Sequence, residues 1–175
     1  SEIDRIIEDA ERLLRELERN SDRSVEEIEK LIRDDHDNSR RTLEKIEKVI
    51  RELRKDVKDR GDTEEVERKI REILREIEEL LRRNEKHNRE VKERIKEVLR
   101  RNKELLDEIK KRLEDRVSSR EKVKRLEEEL RKILKKTREK AEELKRRIDR
   151  NVEETRRRAR ELKEELDRLL KEART

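Results

Sequence analysis

Apolar residues return every 18 positions through nearly the whole chain, and that spacing dictates what it can fold into. In the last third the columns are Val123/Ala141/Ala159, Leu126/Leu144/Leu162, Leu130/Ile148/Leu166 and Leu134/Val152/Leu170. In the first third they are Ala10/Ile28/Ile46, Leu13/Leu31/Val49 and Leu14/Ile32/Ile50. Eighteen residues make five turns at about 3.6 residues per turn, so each stripe stays on one face of an α-helix. A repeat at about 3.5 would wind the helices into a left-handed supercoil, whereas this one leaves them almost straight.

Composition limits the number of such faces. Of 175 residues, 61% are charged and 27% apolar, with no aromatics, Cys, Met or Pro and one Gly. A seam using two positions in seven needs about 28% apolar residues. Each helix can therefore cover one seam and nothing more.

Two breaks divide the stripe. At Arg60-Gly61-Asp62-Thr63-Glu64-Glu65, Gly61 can take the left-handed conformation that closes a helix, and Asp62 with Glu65 has the capping-box spacing that opens the next. At Val117-Ser118-Ser119-Arg120-Glu121, Ser118 with Glu121 repeats that spacing, and Ser1 with Asp4 gives a weaker version at the start. Asn20-Ser21-Asp22-Arg23-Ser24 has the composition of a loop, but Ser21 and Ser24 lie on the stripe without a phase jump and read as helix. The predicted helices cover about 2–60, 63–117 and 119–174, each on the order of 80–90 Å long. The fold class expected is all-α, an up-down-up three-helix bundle of long, nearly untwisted helices forming one domain over residues 1–175.

Antiparallel folding about those loops sets a register. Residues of the first and second helices at one height should have numbers totalling about 122, those of the second and third about 235, and the third should lead the first by about 113. Polar residues on the stripe fall near these relations. Ser21 and Ser24 point to Asn102 and Thr137; Ser39 and Thr42 point to Asn84, Asn151 and Thr155. The second set is the first moved by 18 residues. Asp35 occupies the phase of Leu17 and Leu53, its expected partner is His87, and Asn88 occupies the phase of Ile70 and Leu106. His36 shares its phase with Glu18 and Arg54 and is expected at the rim. The pattern therefore holds two polar layers: Ser21, Ser24, Asn102 and Thr137 in one, and Asp35, Ser39, Thr42, Asn84, His87, Asn88, Asn151 and Thr155 in the other.

Such layers have a physical use. An apolar seam of uniform period packs nearly as well after one helix slides past another, but sliding strands buried polar groups at about 1–3 kcal/mol each. The layers therefore hold the register.

Other functions find little support. Asp35, His87 and Ser39 resemble part of a hydrolytic triad, yet a thin seam offers no oxyanion hole or substrate pocket. Asp35, His36 and His87 are metal-binding residue types, but with His36 off the axis they do not converge, so no metal or other cofactor is expected. A buried His87 can change charge between about pH 5 and 8, which makes a pH-responsive bundle an alternative. The charge of +5 is spread among interleaved acids, residues 119–175 being the basic side, and nucleic-acid readers normally add aromatics for stacking. No apolar run reaches the roughly 20 residues that span a bilayer, bulky aromatics for membrane adhesion are missing, and Ser1-Glu2-Ile3-Asp4 does not start a signal peptide.

The strict spacing, the reduced alphabet, the Gly61-Asp62-Thr63-Glu64-Glu65 loop and the core layers of Asn, Ser, Thr and His together resemble de novo designed helical bundles. More narrowly, they resemble parametric single-chain antiparallel three-helix bundles with buried hydrogen-bond networks. That resemblance implies a stable monomeric scaffold with no natural activity or required partner, soluble in the cytoplasm of an expression host. It also implies an alternative, since related designs serve as switch or heteromer components. A domain-swapped or docked dimer is the corresponding assembly.

Overall fold

The computed structural model describes residues 1–117 and 121–175, apart from the side chains of 114–117. It contains three helices, α1 (Glu2–Lys58), α2 (Thr63–Val117) and α3 (Glu121–Arg174), and no strand among the described residues. The stretches around Ser21 and Asp35 are helical throughout, so the continuity of the stripe outweighs their loop-like composition. The Ser118–Glu121 capping pattern lies outside the described residues.

The first connection differs from expectation in detail. Arg60, with φ at 55°, takes the left-handed conformation, and Gly61 does not. The Gly61 N–H donates to the Asp56 carbonyl at 2.9 Å and the Arg60 N–H to the Val57 carbonyl at 3.2 Å, so the left-handed position of this C-cap falls one residue before the glycine. Gly61 serves close approach instead: a Cβ there would lie 3.3 Å from the Asp56 carbonyl oxygen. Asp62 caps α2 by accepting from the Glu64 N–H at 3.1 Å. The returning half of the capping box is not what Glu65 does; its carboxylate faces Arg68 and Lys69 of the next turn at 4.0 and 3.8 Å. At the start, the Ser1 hydroxyl accepts from the Asp4 N–H at 3.3 Å, as its spacing predicts.

The chain divides into two compact units, each drawing a segment from all three helices. Unit 1 comprises Ser1–Leu31 with Val91–Arg146, and unit 2 comprises Ile32–Glu90 with Arg147–Thr175. In unit 1 the core gathers Leu14 and Leu17 of α1, Ile109 and Leu113 of α2, and Val123 and Leu130 of α3. In unit 2 it gathers Ile50 and Leu53, Ile70 and Ile77, and Leu162 and Leu166. Each fully buried Leu or Ile contributes about 1.5–3 kcal/mol by leaving water, so repetition of one seam holds the fold. The 18-residue columns also grade by depth. Ala10, Ile28 and Ile46 are all buried, whereas Leu13 and Leu31 are half-buried and Val49, in the same column, is 42% exposed.

Ion pairs mark the directions of the helices within each unit. In unit 2, Asp56 of α1 meets Lys69 of α2 at 3.6 Å, which agrees with an antiparallel pair close to the expected register. Glu47 pairs with Arg158 and Arg54 with Glu165, so α3 runs parallel to α1 with a lead of 111 positions, against about 113 expected. Glu29 and Lys140 of unit 1 are 3.0 Å apart with the same lead. The α2–α3 pairs Glu85 with Arg156, 2.7 Å, and Glu67 with Arg174, 2.9 Å, fall six positions further along α3 than the loops place them. Long Arg and Glu side chains lean along the helix and bridge that offset.

Candidate functional site

Six polar residues are buried among the described residues: Ser21, Asn102 and Thr137 in unit 1, and Ser39, Asn84 and Thr155 in unit 2. Each unit receives one from each helix. All six lie on the apolar stripe, and the second trio is the first displaced by 18 positions along every helix, downward on α2. The remaining residues singled out from sequence are shallower: Ser24, Asp35, Thr42, His87, Asn88 and Asn151 are half-buried.

Their hydrogen bonds are local. Asn88 Nδ2 donates to Asn84 Oδ1 at 3.2 Å, one turn apart on α2. Thr42 donates to the Asn38 carbonyl and Thr137 to the Ile133 carbonyl, each at 2.9 Å and four residues back on its own helix. A threonine hydroxyl within a helix readily finds that carbonyl, which competes with partners on other helices. Among the described residues, no hydrogen bond joins two of the twelve across helices, in contrast to the cross-helix network expected from their spacing. His87 Nε2 of α2 lies 4.0 Å from Asp35 Oδ1 of α1. Among the described residues, four buried side-chain atoms have no hydrogen-bond partner: Ser21 Oγ, Asn102 Nδ2, His36 Nδ1 and His87 Nε2.

The charged part of the second layer is a small cluster. His36 is less of a rim residue than its phase suggests: its side chain is 21% exposed, and Nε2 reaches Glu154 of α3 at 3.6 Å. Burial pushes the Asp35 carboxyl above the usual value of 3.8, opposed by the nearby charges of His87 and then His36. Burial wins, because a half-buried carboxylate loses more hydration than two imidazoles at this range return. Among the described residues no group of three or more His, Cys, Asp or Glu is placed to hold a metal ion. Nor is any helix long and apolar enough to cross a membrane.

The most informative difference between Asn102 and Asn84 lies one turn further along α2. That position holds Asn88 beyond Asn84, and beyond Asn102 it holds Leu106, buried in the unit 1 core. Thus the unit 2 amide has a hydrogen-bond partner within its own helix, and the unit 1 amide nitrogen has none.

The fold and its seams place the chain in the class of three-helix bundles. A solved structure described as a computationally designed three helix bundle aligns with 99% of this chain and 90% of its own length, at 19% sequence identity and a TM-score of 0.41. No protein-family model and no curated protein matches the chain.

Proposed function

We propose that the chain is a structural scaffold with no biochemical activity of its own, in which the two polar layers fix the register of the helices and the direction of the bundle. The observation that supports this reading is the placement of the six buried polar residues, one per helix in each unit, at positions related by the 18-residue repeat. A uniform apolar seam leaves sliding nearly free of cost, whereas sliding here moves each buried polar residue away from the polar residues of the other two helices and against apolar side chains.

On this reading the chain is one self-contained domain, since every helix runs without a break from one unit into the other. It needs no partner, metal or cofactor. Light scattering tests this: a mass near 21.8 kDa over a wide concentration range is expected, and about twice that value would replace the scaffold reading by a helix-exchanging or docked dimer. Denaturant unfolding followed separately in the two units should give one shared transition, and two distinct midpoints would make them separate domains.

The cluster of Asp35, His36, His87 and Glu154 supports a second reading, a bundle whose stability responds to pH. Melting temperatures at about pH 4.5 and 7.5 that coincide in the parent and in His87→Gln would remove it.

A further inference from the structure

Four exposed arginines line the groove between α1 and α3 of unit 2. Arg40 and Arg157 line one stretch of it and Arg51 and Arg168 the next, and the two stretches share Glu47 and Arg158. Five carboxylates also line the groove, but four of them face cations already. Arg158 pairs with Glu47 and Glu161, Arg54 pairs with Glu165, and His36 stands 3.6 Å from Glu154. Glu44 is left. Among the described residues, no ion pair engages Arg40, Arg51, Arg157 or Arg168, so four guanidiniums stand against one carboxylate. In unit 1 the groove between the same two helices has six carboxylates against three cations, so the positive sign belongs to unit 2 alone.

The four also stand in a regular order. With α3 leading α1 by 111 positions, Arg157 and Arg168 are level with positions 46 and 57 of α1. The arginines therefore alternate between the helices as Arg40, Arg157, Arg51 and Arg168, in steps of about 7.5–9 Å over about 25 Å. A guanidinium grips a phosphoryl oxygen pair through two parallel hydrogen bonds, and a ladder of them fits a chain that repeats such groups. We infer that this groove binds a linear phosphate chain, an inorganic polyphosphate, laid lengthwise between α1 and α3 with the four guanidiniums on its oxygens. A nucleic acid fits less well, because the chain has no aromatic side chain on which bases would stack. The inference is independent of the register reading, since all four arginines are exposed and none belongs to a polar layer.

Long-chain polyphosphate, tripolyphosphate and oligothymidylate are the probes, titrated calorimetrically at about 50 mM salt, where screening is modest. Long-chain polyphosphate should bind saturably, at least about tenfold tighter per phosphate than tripolyphosphate, which is too short to reach all four arginines. Arg40→Gln, Arg51→Gln, Arg157→Gln and Arg168→Gln combined should weaken it at least about tenfold. Arg19→Gln, Arg23→Gln, Arg125→Gln and Arg131→Gln combined remove the same charge from exposed positions of unit 1 and should weaken it less than about threefold. Both sets lie on the surface, and circular dichroism checks that the helices persist. Any of four results would overturn the proposal: no saturable binding, tripolyphosphate bound as tightly as the long chain, oligothymidylate bound as tightly as polyphosphate, or equal losses in the two variants.

Discussion

The two polar layers share a plan and differ in which groups each leaves without a hydrogen-bond partner. In unit 2 the buried Asn84 is answered by Asn88, and beyond it the layer opens into the half-buried side chains of Asp35, His36 and His87, where His36 Nδ1 and His87 Nε2 lack hydrogen-bond partners. In unit 1, Ser21 Oγ and Asn102 Nδ2 stand without partners, and Leu106 takes the place that Asn88 holds in the other layer. A groove lined by Asn102 and another of about 850 Å³ lined by Ser21 and Thr137 flank the unit 1 layer. The contrast shows that a polar residue at a repeated position is not energetically equivalent in each repeat. For the two asparagines the difference lies one turn further along α2, where Asn88 donates to Asn84 and Leu106 offers Asn102 no polar group.

Truncating that residue in each layer should give the largest separation. Leu106→Ala removes buried apolar side chain from the unit 1 core and should cost about 2–5 kcal/mol, whereas Asn88→Ala removes one hydrogen bond at a half-buried site and should cost about 1 kcal/mol. Urea denaturation measures both, and equal losses would erase the distinction between the layers. A smaller difference of opposite sign is expected from the asparagines themselves. Asn102→Leu removes an unsatisfied buried donor and should raise stability by about 1–3 kcal/mol. Asn84→Leu also strands the Asn88 amide and should change stability by less than about 1 kcal/mol.

The charged extension of the unit 2 layer gives the smallest effect and a pH signature. Because burial raises the Asp35 carboxyl above its unfolded value, the folded state holds the proton more tightly, and stability falls as pH rises from that unfolded value through the folded one. Asp35→Asn should therefore stabilise the protein at neutral pH by up to about 1 kcal/mol and lose that advantage below the unfolded value of 3.8. Chemical denaturation at several pH values checks this, and a variant less stable than the parent at pH 7 would show that the histidine attractions outweigh burial.

Much of this arrangement is legible in the sequence because one rule, helical phase, governs most of it. The 18-residue columns indicate the helices, the reading through Ser21 and Ser24, and which residues face inward, since a single seam per helix leaves no competing face. The lead of α3 over α1 can be had from loop positions alone to within two residues. Phase does not encode contact geometry. It places Asn84 and Thr155 inside, yet whether a hydroxyl turns to another helix or to its own carbonyl four residues back depends on rotamers and distances of a few tenths of an ångström, as at Thr137. The same limit applies at Gly61, where composition points to the glycine and the backbone uses Arg60 for the left-handed position.

The central proposal is that buried polar residues stop the helices from sliding, and a distance across one layer tests it most directly. The chain contains no cysteine, so spin labels can be attached uniquely at Glu44→Cys and Glu78→Cys, two exposed positions on α1 and α2 of unit 2 at one expected height. Pulsed electron resonance on this labelled protein should give one narrow distance distribution. With Asn84→Leu and Asn102→Leu added, the account predicts a broader distribution with components displaced by about one helical turn of 5.4 Å, at stability equal to or above the parent's. An unchanged narrow distribution in the doubly substituted protein would contradict it and assign the register to the apolar seam and the loops.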